Sequence, residues 1–256
     1  MFTCNGELCV GCGSCVRACP MGYLQLADGK AAPRERRRCI GCMHCVAACP
    51  KKAVHFDELA PGQDYLAVPD DPLEALVKSR RSVRKFSNKL PAREDIAWAL
   101  DTAEYAPSGK NAHEFRWTVV YGREKTLELT ERVLDVCRKT GQAPELPKLY
   151  ERGTDLICCG APCMIVGWSP DTALNPVVDP AVALTTIELL LVHRGYATCW
   201  GGYLRQISDV DADLRTWLGV PEGCRVRCAL MLGCPGAERY PNIPYRPAAQ
   251  PVWITE

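Results

Sequence analysis

C-V-G-C-G-S-C-V-R-A-C-P, residues Cys9–Pro20, is written a second time as C-I-G-C-M-H-C-V-A-A-C-P, residues Cys39–Pro50. Each copy sets three cysteines at two-residue gaps, a fourth after three further residues, and a proline behind it. Zinc sites pair two C-x-x-C units across a spacer and have no use for a third cysteine at the same gap. A disulfide scaffold belongs to short secreted chains, whereas this chain has 256 residues, with eight of its 17 cysteines in the two copies and the rest scattered. Three thiolates this close along the chain suit three corners of one small inorganic cube. Gly11, Gly13 and Gly41 let the backbone wrap such a group closely, and Pro20 and Pro50 fix the chain's exit.

The duplicated run resembles the bacterial ferredoxin pattern for two [4Fe-4S] clusters, in which the fourth cysteine of each copy ligates the cluster of the other. That resemblance implies one cluster on Cys9, Cys12, Cys15 and Cys49, and a second on Cys39, Cys42, Cys45 and Cys19. Over residues 1–56 eight basic residues (Arg17, Lys30, Arg34, Arg36, Arg37, Arg38, Lys51, Lys52) face three acids (Glu7, Asp28, Glu35). Positive charge offsets the net negative charge of thiolate-ligated clusters and attracts an acidic electron donor. A solvated basic loop at Arg34–Arg38 is the plainer alternative. His44, between two cysteines of the second copy, is placed either to tune a cluster potential by hydrogen bonding to sulfur or simply to face solvent.

A hydrophobic share of 47% with 24% charged residues is ordinary for a globular protein. The net charge of +1 argues against a general nucleic-acid binder. The most apolar helical stretch, near 181–193, is interrupted by Thr185, Thr186 and Glu188, so no membrane span is expected. The first ten residues carry no basic segment followed by an apolar one, so no signal peptide is expected, and the setting reads as reducing and cytoplasmic.

Three parts follow in order: a cluster module over 1–56, a linker over 57–71 (D-E-L-A-P-G-Q-D-Y-L-A-V-P-D-D), and a larger domain over 72–256. Asp71 and Pro72 read as the cap and first residue of a helix, which ends in S-R-R-S-V-R-K-F, Ser79–Phe86. Four cations and two hydroxyls in that octet suit an anionic phosphate, although a basic helix end also answers to the helix dipole alone. A helix over about 91–105 then runs into A-P-S-G-K-N-A-H-E-F-R-W, Ala106–Trp117, and a strand over 118–121.

R-R-S-V-R-K-F, followed by A-P-S-x-x-N before an aromatic strand, is similar to the flavin-dependent nitroreductase family. G-A-P-C-M-I-V-G-W (Gly160–Trp168), R-G-Y-A-T-C-W-G-G (Arg194–Gly202), V-P-E-G-C-R-V-R-C-A-L-M-L-G-C-P (Val220–Pro235) and the tail Y-R-P (Tyr245–Pro247) agree with it in order, from about Pro72 to the C-terminus. The resemblance implies an α+β fold, a central mainly antiparallel sheet with helices, that forms a homodimer with FMN at the interface touched by both subunits. It implies that Arg80, Arg81, Ser82 and Arg84 hold the phosphate and ribityl chain, and that Asn111, with Pro107 and Ser108, meets the isoalloxazine edge. Gly201 and Gly202 would present backbone donors to the ring beside Cys199 and Trp200, and Arg246 would close the phosphate site. A helix over about 181–192 should be the buried core or dimer helix.

Many members of the family carry glutamine and proline after that asparagine, where this chain has His113 and Glu114. His113 is therefore the candidate catalytic residue, as a proton donor or flavin contact; the plainer alternative is that it only replaces the glutamine's hydrogen bond. Cys137, Cys158, Cys159, Cys163, Cys224, Cys228 and Cys234 read as packing residues. The expected function is an FMN oxidoreductase in which two [4Fe-4S] clusters, fed by an external ferredoxin, pass electrons to FMN. The acceptor is then a small organic molecule such as a nitro compound, quinone or activated alkene. The alternatives are a flavoprotein with NAD(P)H as donor, or a redox relay, passing electrons out through the clusters to a partner protein.

Overall fold

The computed structural model describes residues 2–56 and 65–255, so most of the linker expected over 57–71 lies outside the described residues. The chain divides into two compact units, residues 1–79 with 238–256, and residues 80–237.

In the first unit β1 (Phe2–Cys4) pairs antiparallel with β4 (Val54–Phe56), and β2 (Leu24–Ala27) with β3 (Lys30–Pro33). Two five-residue helices, α1 (Ser14–Ala18) and α2 (His44–Ala48), lie between them. The duplication in sequence is a duplication in backbone. Gly13 and Met43, which precede the helices, are both left-handed, at φ 71° and 58°. Cys19 and Cys49, which end them, are both extended at ψ 108°. The core here is small: Phe2, Leu24, Val46, Val54 and Phe56 pack around Cys15, Cys45 and Cys49. After the short strand β5 (Tyr65–Leu66) comes α3 (Pro72–Ser79), capped as its sequence predicts, the Glu74 amide donating to Asp71 Oδ1 at 2.7 Å.

The second unit holds α4 (Arg93–Ala103), β6 (Arg116–Tyr121), α5 (Arg123–Thr140), α6 (Glu145–Glu151), β7 (Cys163–Pro170), α7 (Val178–His193), β8 (Ala197–Trp200), α8 (Gly202–Ser208), α9 (Ala212–Trp217) and β9 (Cys224–Gly233). The strands form one antiparallel sheet in the order β6-β7-β9-β8. Alternation along β7 and β9 builds two cores, because successive side chains leave a strand on opposite faces. Cys163, Ile165, Cys228, Leu230 and Leu232 meet Ile96 and Ala99 of α4 and Leu184, Ile187 and Leu191 of α7. Met164, Val166, Val226, Ala229 and Met231 meet α5, α6, α8 and α9 on the other face. The sheet is thus filled between two helical layers, as the α+β expectation required, and α7 is the buried helix foreseen near 181–192.

The chain then returns to the first unit, where β10 (Ile243–Pro244) pairs antiparallel with β5. No helix among the described residues is long and apolar enough to cross a membrane.

Candidate functional site

Four thiols separated by up to forty residues of chain, those of Cys9, Cys12, Cys15 and Cys49, line one small cavity of about 20 Å³ with Gly11, Gly13 and Ala31. Gly11 is held at φ 68°, and a Cβ there would lie 2.4 Å from the Gly29 carbonyl oxygen, so only glycine fits this turn. The Gly11 backbone N–H holds the Cys9 thiol below its ordinary range, and the Ser14 hydroxyl does the same for Cys12. Cys15 is pushed up to about 11, first by burial and then by the adjacent Cys49. Burial likewise pushes Cys45 up, and its charged neighbours are Cys42, Cys19 and Cys15. Cys49 of the second copy thus lies with the first three cysteines of the first, and Cys19 of the first copy lies near Cys45 of the second.

Backbone amides complete both shells: Tyr23 N donates to Cys19 Sγ and Ala53 N to Cys49 Sγ, each at 3.2 Å, and Gly41 N donates to Cys39 Sγ at 3.4 Å. Among the described residues no three His, Cys, Asp or Glu side chains converge tightly enough to share a single metal ion. The four thiols gathered at the first cavity are the sulfur donors that a polynuclear iron–sulfur cluster takes, one to each iron. The donor set and cavity therefore fit [4Fe-4S] groups.

In the second unit the expected flavin residues gather around a carboxylate that sequence reasoning passed over. Glu188, on α7 and only 3% exposed, accepts from Arg80 Nη1 (3.3 Å) and Thr198 Oγ1 (3.0 Å) through Oε1, and from Trp200 Nε1 (3.0 Å) through Oε2. Ser82 bridges to Thr198, and the Val83 amide donates to the Thr198 carbonyl at 2.8 Å, which fixes the basic octet along the edge strand β8. Arg81 Nη1 donates to the Arg80 carbonyl and Arg84 Nη1 to the Ser82 carbonyl. A signal for Glu188 was present, since a carboxylate midway along a largely apolar helix needs buried partners.

Beside this cluster Arg84, Cys199, Trp200, Gly202, Tyr203 and Met231 line an open cavity of about 380 Å³. Gly202 stands at its wall with no atom within 4 Å of where a Cβ would project, while Gly201 sits close on Ala229 and Met164. A planar ring can therefore approach the backbone at Gly202. Burial raises the Cys199 thiol, with Arg84 opposing the shift. Cationic donors, an open glycine and a flat aromatic wall are a donor set that fits FMN.

Pro107, Ser108, Asn111 and His113 lie in the loop between α4 and β6, where His113 meets both Ser108 and Asn111, and this loop reaches a different part of α7. The Gly109 amide donates to Asp179 Oδ2 at 3.0 Å, in the first turn, whereas Arg80 meets Glu188 nine residues further on. Nine residues of helix are about 13 Å. Lys110, Asn111 and His113 all have positive φ (50°, 56° and 47°), strain of the kind that collects where side chains must be aimed. The Asn175 and Leu174 side chains close over Gly109, and a Cβ there would lie 2.4 Å from Asn175 Nδ2, so any side chain would have to displace them. His113 Nε2 is 3.0 Å from Asn111 Oδ1, and its buried Nδ1 has no protein partner. Arg246, expected to close the phosphate site, makes a different contact: it lies in the first unit, where its Nη2 donates to the Cys42 carbonyl at 3.2 Å.

Of the seven thiols read as packing residues, Cys137, Cys158, Cys163 and Cys228 are buried, and Cys159, Cys224 and Cys234 are half-buried. Cys158, Cys159, Cys163 and Cys228 are each pushed up to about 12 by burial.

Fold and site together define a flavin-binding oxidoreductase unit joined to a two-cluster electron-transfer module. Comparison with known proteins makes this definite. The nitroreductase family model matches residues 77–234, and a 4Fe-4S dicluster domain matches residues 8–54. The chain belongs to the nitroreductase family and is a flavin-dependent oxidoreductase carrying an iron–sulfur module. A nitroreductase with bound FMN from Desulfitobacterium hafniense is similar at 28% identity and TM-score 0.60, covering 73% of this chain and 99% of that one. A second, with bound FMN, from Bacteroides fragilis, is similar at 26% identity and TM-score 0.59, covering 73% and 100%. An iodotyrosine deiodinase from Thermotoga neapolitana is 38% identical over 65 residues, 25% of this chain and 34% of that protein.

Proposed function

We propose that the two clusters pass single electrons to FMN within one protein, and that the reduced flavin transfers them to a small organic acceptor, such as a nitro compound, quinone or activated alkene. The observation that carries this is the joining, in one chain, of a four-thiol cavity and an arginine- and glycine-lined cavity, a store of single electrons and a two-electron carrier. In this reading Cys9, Cys12, Cys15 and Cys49 hold one cluster and Cys39, Cys42, Cys45 and Cys19 the other. Arg80, Arg81, Ser82 and Arg84 bind the anionic end of FMN. Glu188 orients Arg80 and holds Trp200 at the cavity wall, Gly202 admits the ring, and Gly201, packed on Ala229 and Met164, sets the backbone beside it.

The separation between the Ser108–His113 loop and Glu188 along α7 supports a homodimer in which that loop serves the partner's flavin. His113 is the candidate proton donor, its ring oriented by the contact of Nε2 with Asn111 Oδ1. An external ferredoxin is the donor that the basic cluster module suits.

The test is Cys42→Ala in the full chain. Turnover driven by reduced ferredoxin should be abolished, while flavin reduced directly by dithionite should still react with acceptor. Retained ferredoxin-driven turnover would contradict the path through the clusters.

A further inference from the structure

Thirty residues separate each position of the first cysteine run from its counterpart in the second, Cys9 from Cys39, Cys12 from Cys42, Arg17 from Ala47. The copies match in the left-handed caps, in the extended fourth cysteine and in the amide-to-sulfur bonds at Cys19 and Cys49. One contact breaks the match within the sequence and is restored in space. In the first copy Arg17, on α1, donates through Nη1 to the Cys12 carbonyl at 3.0 Å. Its counterpart Ala47 has no such reach, yet the Cys42 carbonyl accepts from Arg246 Nη2 at 3.2 Å.

The tail that delivers Arg246 is built for this place. Asn242 Nδ2 donates to the Cys49 carbonyl at 2.7 Å, and the Asn242 amide donates to the Ala47 carbonyl at 3.3 Å. The Tyr240 ring stands edge-on to His44 at 5.5 Å, and Ile243 is buried as β10 pairs with β5. Ala47 is fully buried, with its carbonyl taken by Asn242, so the place of Arg17 has no room for an arginine in the second copy without displacing what covers it.

The geometry points to Arg246 as a positioning residue for the second cluster, supplying from the far end of the chain the guanidinium that Arg17 supplies locally to the first. This rests on the two-cluster reading. A cation on the carbonyl of a ligand cysteine favours the reduced cluster, which carries one more negative charge, and so raises its potential. The Asn242 clasp holds the tail so that the charge stays in place. The C-terminal segment is therefore a functional part of the electron-transfer module, and the two clusters are tuned by residues from opposite ends of the sequence.

The test is an anaerobic redox titration of the full, cluster-loaded protein, followed by cluster absorbance and electron paramagnetic resonance, with iron and FMN measured per chain. Arg246→Ala should lower one midpoint and leave the other, reducing the reduced-to-oxidised ratio of that cluster about threefold, or ~28 mV at ~59 mV per tenfold for one electron. The shift should grow at low salt, because Arg246 is exposed and screened. Arg17→Ala should lower the other midpoint, and Arg246→Lys should largely restore the first. If Arg246→Ala costs the protein iron, Arg246→Lys should restore the iron as well. No shift with Arg246→Ala, a shift in the same midpoint that Arg17→Ala moves, or loss of FMN with both midpoints fixed would overturn the assignment. Wild-type protein with fewer than about eight irons per chain would instead sink the two-cluster reading itself.

Discussion

The cluster module and the flavin unit reach a fixed geometry by different means. In the module a handful of apolar side chains packs around cysteines, with two short strand pairs and two five-residue helices. A core so small cannot order its loops alone, and inorganic clusters would supply the missing cross-links. In the flavin unit a four-stranded sheet is filled on both faces, and the site is an attachment to a core that stands without it. The teaching is that a cofactor can be part of a fold in one half of a chain and a guest in the other.

Removing one ligand should break the comparison most sharply. Cys49→Ser removes a sulfur that accepts from Ala53 N and lines the first cavity. Iron should fall from about eight to about four per chain, the module should become protease-sensitive, and the flavin unit should keep its FMN. Loss of FMN together with iron would show that the two halves are not independent in this sense.

Glu188→Gln comes next. It removes the charge that joins Arg80, Thr198 and Trp200, and leaves the guanidinium of Arg80 without its carboxylate. Arg80 is 32% exposed, so its share is screened, and a loss of about 2–4 kcal/mol is expected, read by denaturant unfolding with weaker FMN binding. Unchanged stability would mean that Glu188 organises nothing.

Gly202→Val should weaken FMN binding about tenfold, ~1.4 kcal/mol, without altering unfolding of the flavin-free protein. No protein atom lies within 4 Å of a Cβ built at Gly202, so the added side chain starts into open space on the side proposed for the ring. Equal FMN affinity would remove Gly202 from the site.

The smallest effect concerns the thiols. Cys163 and Cys228 are raised from 9.0 to about 12 by burial, so they stay protonated in the fold. Unfolded, they ionise near pH 9. Their contribution is complete below that pH and is lost as the pH rises from about 9 toward about 12. Melting temperature should therefore decline across that range, less steeply in Cys163→Ala. An identical slope in the variant would contradict burial as the cause.

How much of this was legible in the sequence follows the same division. The cluster cysteines were legible because each set is three parts local, and chain spacing is then nearly spatial spacing. Asp71–Pro72 was legible because a helix cap is local too. The basic octet and the glycines at 201–202 were legible as motifs, but their meeting was not, since the β8 edge and the Glu188 carboxylate join residues about a hundred positions apart. Arg246 was read from its Y-R-P surroundings as a phosphate contact, and its bond to Cys42 depends on β10 returning to β5, two-residue strands that leave no period in the sequence.

The central claim is that electrons enter at the clusters and leave from the flavin. Anaerobic stopped-flow absorbance of the loaded protein, mixed separately with reduced ferredoxin, NADPH and NADH, tests it most directly. The account predicts fast reduction by ferredoxin, with cluster bands bleaching before flavin, and slow reduction by either nicotinamide. Fast reduction by a nicotinamide, with flavin bleaching first, would contradict it and make the clusters an exit.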